Sequence, residues 1–574
     1  MNQQFSRSGS RWIAIALLML STQASAADSN EHLNAQEIGR PDYLPAMPDE
    51  AFRLPPVPVS PELLSVPNDQ GSLRLGRVVF SGNTVVATAD LEAVAAPYVG
   101  RTISVAELED LRQRLTRHYI DLGYVNSGVL LENENLTEGK PHSAVYFKVI
   151  EGQLTAIRLR GMEGLTDDYI AYRLHKDADG PLNMEILRER YQLLLGDPLF
   201  QRLNARLIPD ARLGQAILDV DVVRAQPYQL TLFANIYRPP SIGSESLGVS
   251  GWLRNLTGQG DFLEASVQTP HNSVADSRAS LAWRMPLGQR GTVFSAEIDH
   301  GRSSVIEEPM QVLDIRSVLD TRDFGVSQAL VETLRHKFVL GINHVNRENR
   351  TSLLGTPFSF NPGEPDGVTK EALWRFWQEY TYRSEAQVLA LRSTFTAGRN
   401  NLQDIPGLPE TSAASTPQKQ YRIWLGQAQF ARQVLENGAQ AIIKGSLQRT
   451  SDRLLSLDGM SIGGVNTVRG FRENQLIRDQ GETFTLEFDY PLIARTARDL
   501  NISLIPFYDH GRGYNRHEAA VTLSSCGLAS RIRWQGLSLD IAFAKRLSVP
   551  DAFKSSKATL QDRGLHFSLS YRFD

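Results

Sequence analysis

The chain has 574 residues, with 60 Lys and Arg against 64 Asp and Glu and a formal net charge of -4. So slight a charge over so long a chain gives no field to steer nucleic acid, and none is expected as a partner. The single cysteine, Cys526, cannot form an internal disulfide and has no neighbours in the sequence that suggest a metal site; no metal or cofactor is expected. The length calls for more than one domain.

Arg7 and Arg11 precede an almost unbroken apolar run over residues 12–20, and Ala24-Ser25-Ala26 supplies a small-residue cleavage pattern. Residues 1–26 therefore read as a secretory signal peptide, because the run is about half the ~20 residues that a spanning helix needs. No later stretch is long and apolar enough to span a bilayer as a helix. A chain addressed this way is periplasmic, secreted, or a membrane barrel whose signal hides in alternation.

Residues 27–72 read as an arm and a linker. Pro41, Pro45, Pro48, Pro55, Pro56, Pro58, Pro61 and Pro67 favour extended polyproline structure. Residues 30–38 suggest a helix too short to stand alone.

Residues 73–151 read as a small α/β module. A strand at 75–81 meets the Gly82-Asn83 turn signal, and a short helix follows at 89–98. Ser104 and Glu107 are spaced as a capping box. The helix they open carries Leu108, Leu111, Leu115, Tyr119 and Leu122 on one stripe and stops at Gly123. Strands at 125–131 and 144–150 complete a β-α-α-β-β order. Residues 152–225 repeat that order, with strands at 154–160, 203–209 and 216–223 and helices at 166–174 and 183–195. Ile186, Leu187, Tyr191 and Leu194 form the apolar side of the second of these. Two tandem copies of one unit say more than either alone.

From Tyr228 onward the pattern becomes alternation with a period of two. Phe484, Leu486, Phe488 and Tyr490 share one face, and Thr483, Thr485, Glu487 and Asp489 share the other. Leu537, Leu539, Ile541 and Phe543 alternate with Ser538, Asp540, Ala542 and Ala544. The final run sets Leu565, Phe567, Leu569, Tyr571 and Phe573 against His566, Ser568, Ser570 and Arg572. These runs have about the ~9–11 residues of a tilted strand that crosses a bilayer. Tyr490, Tyr508, Trp534, Tyr571 and Phe573 suit an aromatic girdle. About 347 residues at roughly 20 per strand and loop give some 16 strands. The polar insertions at 355–370 and 404–420 suit extracellular loops.

One motif in this region is specific. Gly463-Gly464-Val465-Asn466-Thr467-Val468-Arg469-Gly470-Phe471 resembles the V-R-G-[YF] element of polypeptide-transport-associated barrels, and Phe507-Tyr508-Asp509 resembles their F-x-D element. Within that superfamily the chain is similar to the two-partner secretion transporters, the TpsB family, over essentially its whole length. The resemblance implies a fold: a transmembrane β-barrel of about 16 antiparallel strands over residues 228–574, preceded by two small α/β POTRA-like domains at 73–151 and 152–225. A plug helix is implied in the arm. The V-R-G-F loop is implied to fold into the lumen, where Arg469 pairs with Asp509. Gly463, Gly464 and Gly470 allow the turns that such a loop needs. Strand parity agrees on one point: Ile502, Leu504 and Tyr508 face one way and Asp509 the other.

The resemblance also implies a location and partners. The barrel sits in the outer membrane of a Gram-negative bacterium, in contact with its lipid, with the N-terminal domains in the periplasm. It exports a large β-helical client protein, of adhesin, haemolysin or contact-dependent toxin type, encoded nearby. Periplasmic chaperones and the barrel-assembly machinery deliver it, reading Tyr571 and Phe573 as a C-terminal signal; here Asp574 follows the aromatic residue that usually ends such chains. No G-x-S-x-G, H-E-x-x-H or phosphate-binding loop occurs, so no enzyme is expected. The residues leave two other readings open: an assembly or insertion factor of the same superfamily, and a soluble secreted β-rich binding protein.

Overall fold

The computed structural model describes residues 43–44, 72–132, 143–174, 180–271, 273, 275–405, 416–495, 499–550 and 559–573. The signal peptide, the arm and linker apart from Tyr43 and Leu44, the plug helix and Asp574 lie outside these residues. The chain divides into two units: Ala46–Gln226, and Pro227–Asp574 together with the segment that ends at Pro45.

The first unit begins with β1 (Ser72–Ser81), α1 (Thr88–Ala95), β2 (Thr102–Ser104), α2 (Val105–Asp121), β3 (Gly128–Leu131) and β4 (Ser143–Ile150). Ser104 caps α2 as its spacing predicts: its hydroxyl accepts from the Glu107 N–H at 3.2 Å, and the Glu107 carboxylate accepts from the Ser104 N–H at 2.8 Å. Leu108, Leu111, Leu115 and Tyr119 are buried against a sheet of order β2-β1-β4-β3. Three expectations need correction. The order is β-α-β-α-β-β, because residues 102–104 pair with the start of β1. So short an edge strand leaves almost no alternation to read. The first helix ends at Ala95 rather than at residue 98. Leu122 caps α2 and is exposed, since the stripe has already turned away from the sheet.

The second copy holds β5 (Gln153–Arg160), α3 (Asp167–Leu174), α4 (Met184–Leu195), β6 (Phe200–Pro209) and β7 (Gln215–Arg224), with sheet order β5-β7-β6. Leu187, Tyr191 and Leu194 enter its core, whereas Ile186 is exposed. One residue is about 100° of helix rotation, enough to carry Ile186 out of the stripe. The two copies are stitched together: the Met184 N–H donates to the Gly123 carbonyl at 2.9 Å, and Asn126 Nδ2 to the Gly214 carbonyl at 3.1 Å.

The second unit is the barrel. It runs through β8 (Tyr228–Asn235), β9 (Ser246–Arg254), β10 (Phe262–Pro270), β11 (Arg278–Leu287), β12 (Thr292–Ser304) and β13 (Arg316–Glu332). Then come β14 (His336–Leu353), the two-residue β15 (Thr356–Pro357), β16 (Val368–Arg383), β17 (Gln387–Asn400), β18 (Gln420–Gln433) and β19 (Gln440–Arg449). A long loop holds the small strands β20 (Met460–Ile462) and β21 (Leu476–Arg478). Last are β22 (Gln480–Arg495), β23 (Leu500–Tyr514), β24 (Val521–Trp534), β25 (Leu537–Ser548) and β26 (Leu565–Phe573). Sixteen of these strands form an antiparallel barrel, closed where β26 pairs with β8 from Ser568↔Asn235 to Phe573↔Leu230. Closure leaves no strand edge unpaired, which lipid requires.

Alternation sets the two faces. Leu281, Ile298, Phe324, Phe376, Phe484, Leu486 and Phe543 point outward and are exposed, while Asp299, Glu371, Gln427, Glu487 and Asp509 point inward and are buried. Tyr490, Tyr508, Trp534, Tyr571 and Phe573 all face outward. Connections are short at one end, as at residues 333–335, 384–386 and 535–536, and long at the other. The insertions at 355–370 and 404–420 lie at the long-loop end; β16 already starts at Val368, and residues 406–415 lie outside the described residues. At the short-turn end, Tyr43 packs on Val388, Ala431 and Ile442 and donates to Gln440 Oε1 at 3.1 Å. The end of the arm thus sits in the barrel mouth.

Leu111, fully buried beneath the first sheet, supplies a stability test. Leu111→Ala is expected to destabilise a fragment of residues 46–226 by about 2–5 kcal/mol in chemical denaturation. In the full chain it should leave the heat-modifiable mobility of the barrel on gels unchanged.

Candidate functional site

The loop between β19 and β22, residues 450–479, turns back into the barrel. Its β20 and β21 pair as a hairpin from Met460↔Arg478 to Ile462↔Leu476. Ile462, Val468, Phe471 and Leu476 are buried with Met460 and the wall residue Leu523 in one apolar cluster. Between the two strands the chain makes a tight turn, with Gly463, Gly464 and Gly470 at φ 111°, 105° and 88°. At Gly470 a side chain has no room either, since a Cβ would lie 2.8 Å from that of Ala544 on β25.

This turn delivers Arg469 to β23. The guanidinium grips Asp509 with two parallel bonds, Nε to Oδ2 and Nη2 to Oδ1, each 2.8 Å, and the Arg469 backbone N–H adds a third at 3.0 Å. Its remaining nitrogen, Nη1, lies 2.8 Å from Glu487 of β22. The ring of Phe507 lies beneath, 3.5 Å from the guanidinium carbon. Asp509 is fully buried and Arg469 is 6% exposed. Such a planar cation can serve two carboxylates and a ring at once; an ammonium cannot. Flanking bonds fix the neighbours. The Gly470 N–H donates to His566 Nε2 at 2.9 Å. Arg472 grips Asp562 at 2.7 and 2.8 Å and reaches Glu307 at 2.8 Å.

The structure therefore brings Arg469 and Asp509 together, with Gly463, Gly464, Val468, Gly470 and Phe471 around them and Phe507 beneath. Tyr571 and Phe573 are elsewhere, stacked edge to face on the outer wall with ring centroids 4.9 Å apart. Sequence reasoning had placed Glu487 and His566 on polar strand faces without giving either a partner. It missed Asp458 altogether. This residue of the same loop meets Arg347 of β14 at 2.9 Å and accepts from the Tyr421 hydroxyl of β18 at 2.5 Å. Tyr421 also reaches Glu371 of β16 at 3.0 Å.

Room for the hairpin comes from missing side chains. A Cβ on Gly511 of β23 would fall 2.4 Å from Ile462 and 2.8 Å from Val468, and Gly481 and Gly513 are similarly covered. Closed-barrel backbone cannot retreat, so a larger residue must displace the loop. Gly511→Val is expected to assemble but to weaken loop docking by about 1–3 kcal/mol. Limited proteolysis of intact cells should then cut within residues 450–479 faster than in the wild type.

Residues 214–533 match the family model described as haemolysin secretion/activation protein ShlB/FhaC/HecB, and residues 73–152 match the ShlB-type POTRA domain. The chain is similar to the outer membrane transporter CdiB of Escherichia coli O6:K15:H31, 21% identical over 470 residues, covering 78% of this chain and 74% of that protein. It is also similar to the heme/hemopexin transporter protein HuxB of Haemophilus influenzae strain 86-028NP, 21% identical over 491 residues, covering 82% and 80%. Among solved structures, CdiB from Escherichia coli superposes with a TM-score of 0.67 at 18% identity over 89% of this chain and 92% of that one. CdiB from Acinetobacter baumannii superposes at 0.60 with 13% identity over 99% and 98%. At these identities the superpositions speak for the fold. The closed barrel, the POTRA match and the outer-membrane relatives locate this protein in the outer membrane, with its POTRA domains in the periplasm. Since the match at residues 214–533 covers more than half of its length, the chain belongs to the haemolysin secretion/activation family, the transporters of two-partner secretion.

Proposed function

We propose that this protein exports one large partner protein, a β-helical client encoded nearby, through its barrel to the cell surface. The observation that carries this reading is a closed barrel whose lumen, among the described residues, is crossed by the loop of residues 450–479, pinned by a buried charged cluster. The periplasm holds no nucleotide triphosphate, so transport runs on the free energy of the client's folding outside the cell. The Arg469–Asp509 pair keeps the loop in the position that permits passage. Chaperones and the assembly machinery insert the barrel, with Tyr571 and Phe573 as the signal they read. HuxB is by its name a heme/hemopexin transporter, and a further relative, HpmB of Proteus mirabilis, a hemolysin transporter; the client of this chain is a secreted protein of the same broad class.

The client is recognised first in the periplasm. Sheet edges can accept an extended segment through main-chain hydrogen bonds. Among the described residues, the first POTRA sheet ends in strands of 3 and 4 residues, the second in strands of 8 and 10. The second sheet has the edges long enough to hold a strand, and the first POTRA domain orients it. Deleting residues 73–151 is expected to leave an assembled barrel that no longer exports; undiminished client in the medium would remove the POTRA pair from the recognition step.

The central test is Arg469→Ala. It leaves the buried Asp509 and Glu487 facing one another without a cation, a cost of about 3–5 kcal/mol for a broken buried pair. That is too little to unfold a closed barrel and enough to shift a loop between positions. Client in the medium per unit of assembled barrel should collapse. Arg469→Lys should rescue poorly, because one ammonium cannot bridge both carboxylates and cover Phe507. Wild-type export from Arg469→Ala at equal barrel levels would show that this pair does not govern passage.

A further inference from the structure

The loop is held at more than one wall, and the holdings are unequal. At β22 and β23, Arg469 makes three hydrogen bonds to Asp509 and a 2.8 Å pair to Glu487, covers the Phe507 ring, and is flanked by the fully buried Val468 and Phe471. Next to it Arg472 grips Asp562. On the β13–β18 side the attachment is thinner. The Asp458 carboxylate takes one bond from Arg347 and one from Tyr421, both of which also reach Glu371, and its backbone carbonyl accepts from Gln448 Nε2 at 3.0 Å. Leu454 packs on Val345, Leu373, Tyr421 and Ile423, and Leu457 touches Leu319. Arg347 lies 2.9 Å from Asp458 and 3.5 Å from Glu371, so one cation serves two carboxyl groups. Arg375 adds a second cation farther off, itself 4.0 Å from Asp323.

What lies against this attachment also differs. The Arg469 end is closed over by the buried Val468 and Phe471 and by the neighbouring pairs of Arg472 with Asp562 and Glu307. The Asp458 end borders a cavity of about 110 Å³ lined by Arg347, Arg375, Trp377 and Gln448. Its polar lining suits water. A carboxylate leaving Arg347 here passes into a polar space, which offsets much of the cost of breaking the pair.

We infer that Asp458, clasped by Arg347 and Tyr421, is a release latch: residues 454–458 leave the β14–β18 wall while the Arg469 end stays fixed, and this movement opens the channel. The fixed end defines where the loop is; the latch defines whether the lumen is crossed. Asp458 is thus a positioning residue for transport, and Tyr421 and Arg347 are its keepers. The inference rests on the reading of this barrel as an export channel, and it adds which end of the loop moves.

The test is single-channel recording of the purified full-length protein in planar bilayers bathed in potassium chloride. Asp458→Asn keeps the shape and loses the ion pair. Tyr421→Phe removes only a hydroxyl from the rigid wall, so it stays informative even if the loop variant assembles poorly. Each is expected to raise the open probability roughly tenfold, the scale of one lost charge-assisted hydrogen bond to a buried carboxylate. Because both act on one latch, the double variant should open no more than the larger single one. Wild-type open probability in both variants, or effects that simply add, would overturn the latch while leaving the export channel standing. Absence of channels from the wild type and every variant would overturn the channel reading and the latch with it.

Discussion

A guanidinium held between two carboxylates and above an aromatic ring, inside a closed barrel, is the interaction on which this structure turns. A charge placed alone in such a space would lose much of its hydration; matched by Asp509 and Glu487 and given a flat surface by Phe507, Arg469 keeps its partners within 2.8 Å. The barrel supplies what the pair needs. Its backbone is satisfied strand to strand, so the wall carrying Asp509 and Glu487 cannot drift. The loop, by contrast, is free to order or to move. Binding it to the wall through Arg469, Arg472 and Asp458 converts a long connection into a defined obstacle within the lumen.

The wall is shaped for that obstacle by subtraction. Gly481, Gly511 and Gly513 leave a depression for Met460, Ile462 and Leu476, and Ala544 leaves space for the turn at Gly470. Small residues on an inward face usually weaken a strand, because they offer nothing to pack. Here the loop does the packing, and its side chains form a buried apolar cluster with Leu523 of the wall. Two kinds of attachment follow along one loop. The Arg469 end carries more bonds, and the Asp458 end, equally buried, borders a small cavity with polar lining. A transporter needs that inequality, because a plug fixed at every point could not yield, and one fixed nowhere could not close.

Much of this was legible in the residues. Alternation over 483–491 and 565–573 gave each strand its two faces, since a side chain's parity decides lipid or lumen. The stripe of Leu108, Leu111, Leu115 and Tyr119, with the Ser104 cap, gave the first domain its long helix. The Arg469–Asp509 pair came from a resemblance, and the structure supplies the geometry that the resemblance could not. What stayed hidden shares one cause. Parity says that Glu487, Glu371 and Arg347 point inward, yet it cannot say which of the inward charges meet. Asp458 finds Arg347 across 111 residues of chain, a contact set by barrel curvature and loop path rather than by local pattern. Strand β2 was missed because three residues carry too little alternation, and Ile186 was misplaced by one helical step.

The account holds that the Arg469 end of the loop stays docked while export proceeds. Val468 and Leu523 belong to the same buried cluster on the loop and on β24, so a cysteine at each, in a Cys526→Ser background, allows the two to be joined in the membrane by a short cleavable reagent. The measurement is client export as a function of the crosslinked fraction. The account predicts export at the level of the uncrosslinked protein, because the joined surfaces never need to part. Export that falls in proportion to the crosslinked fraction, and returns on cleavage, would contradict it.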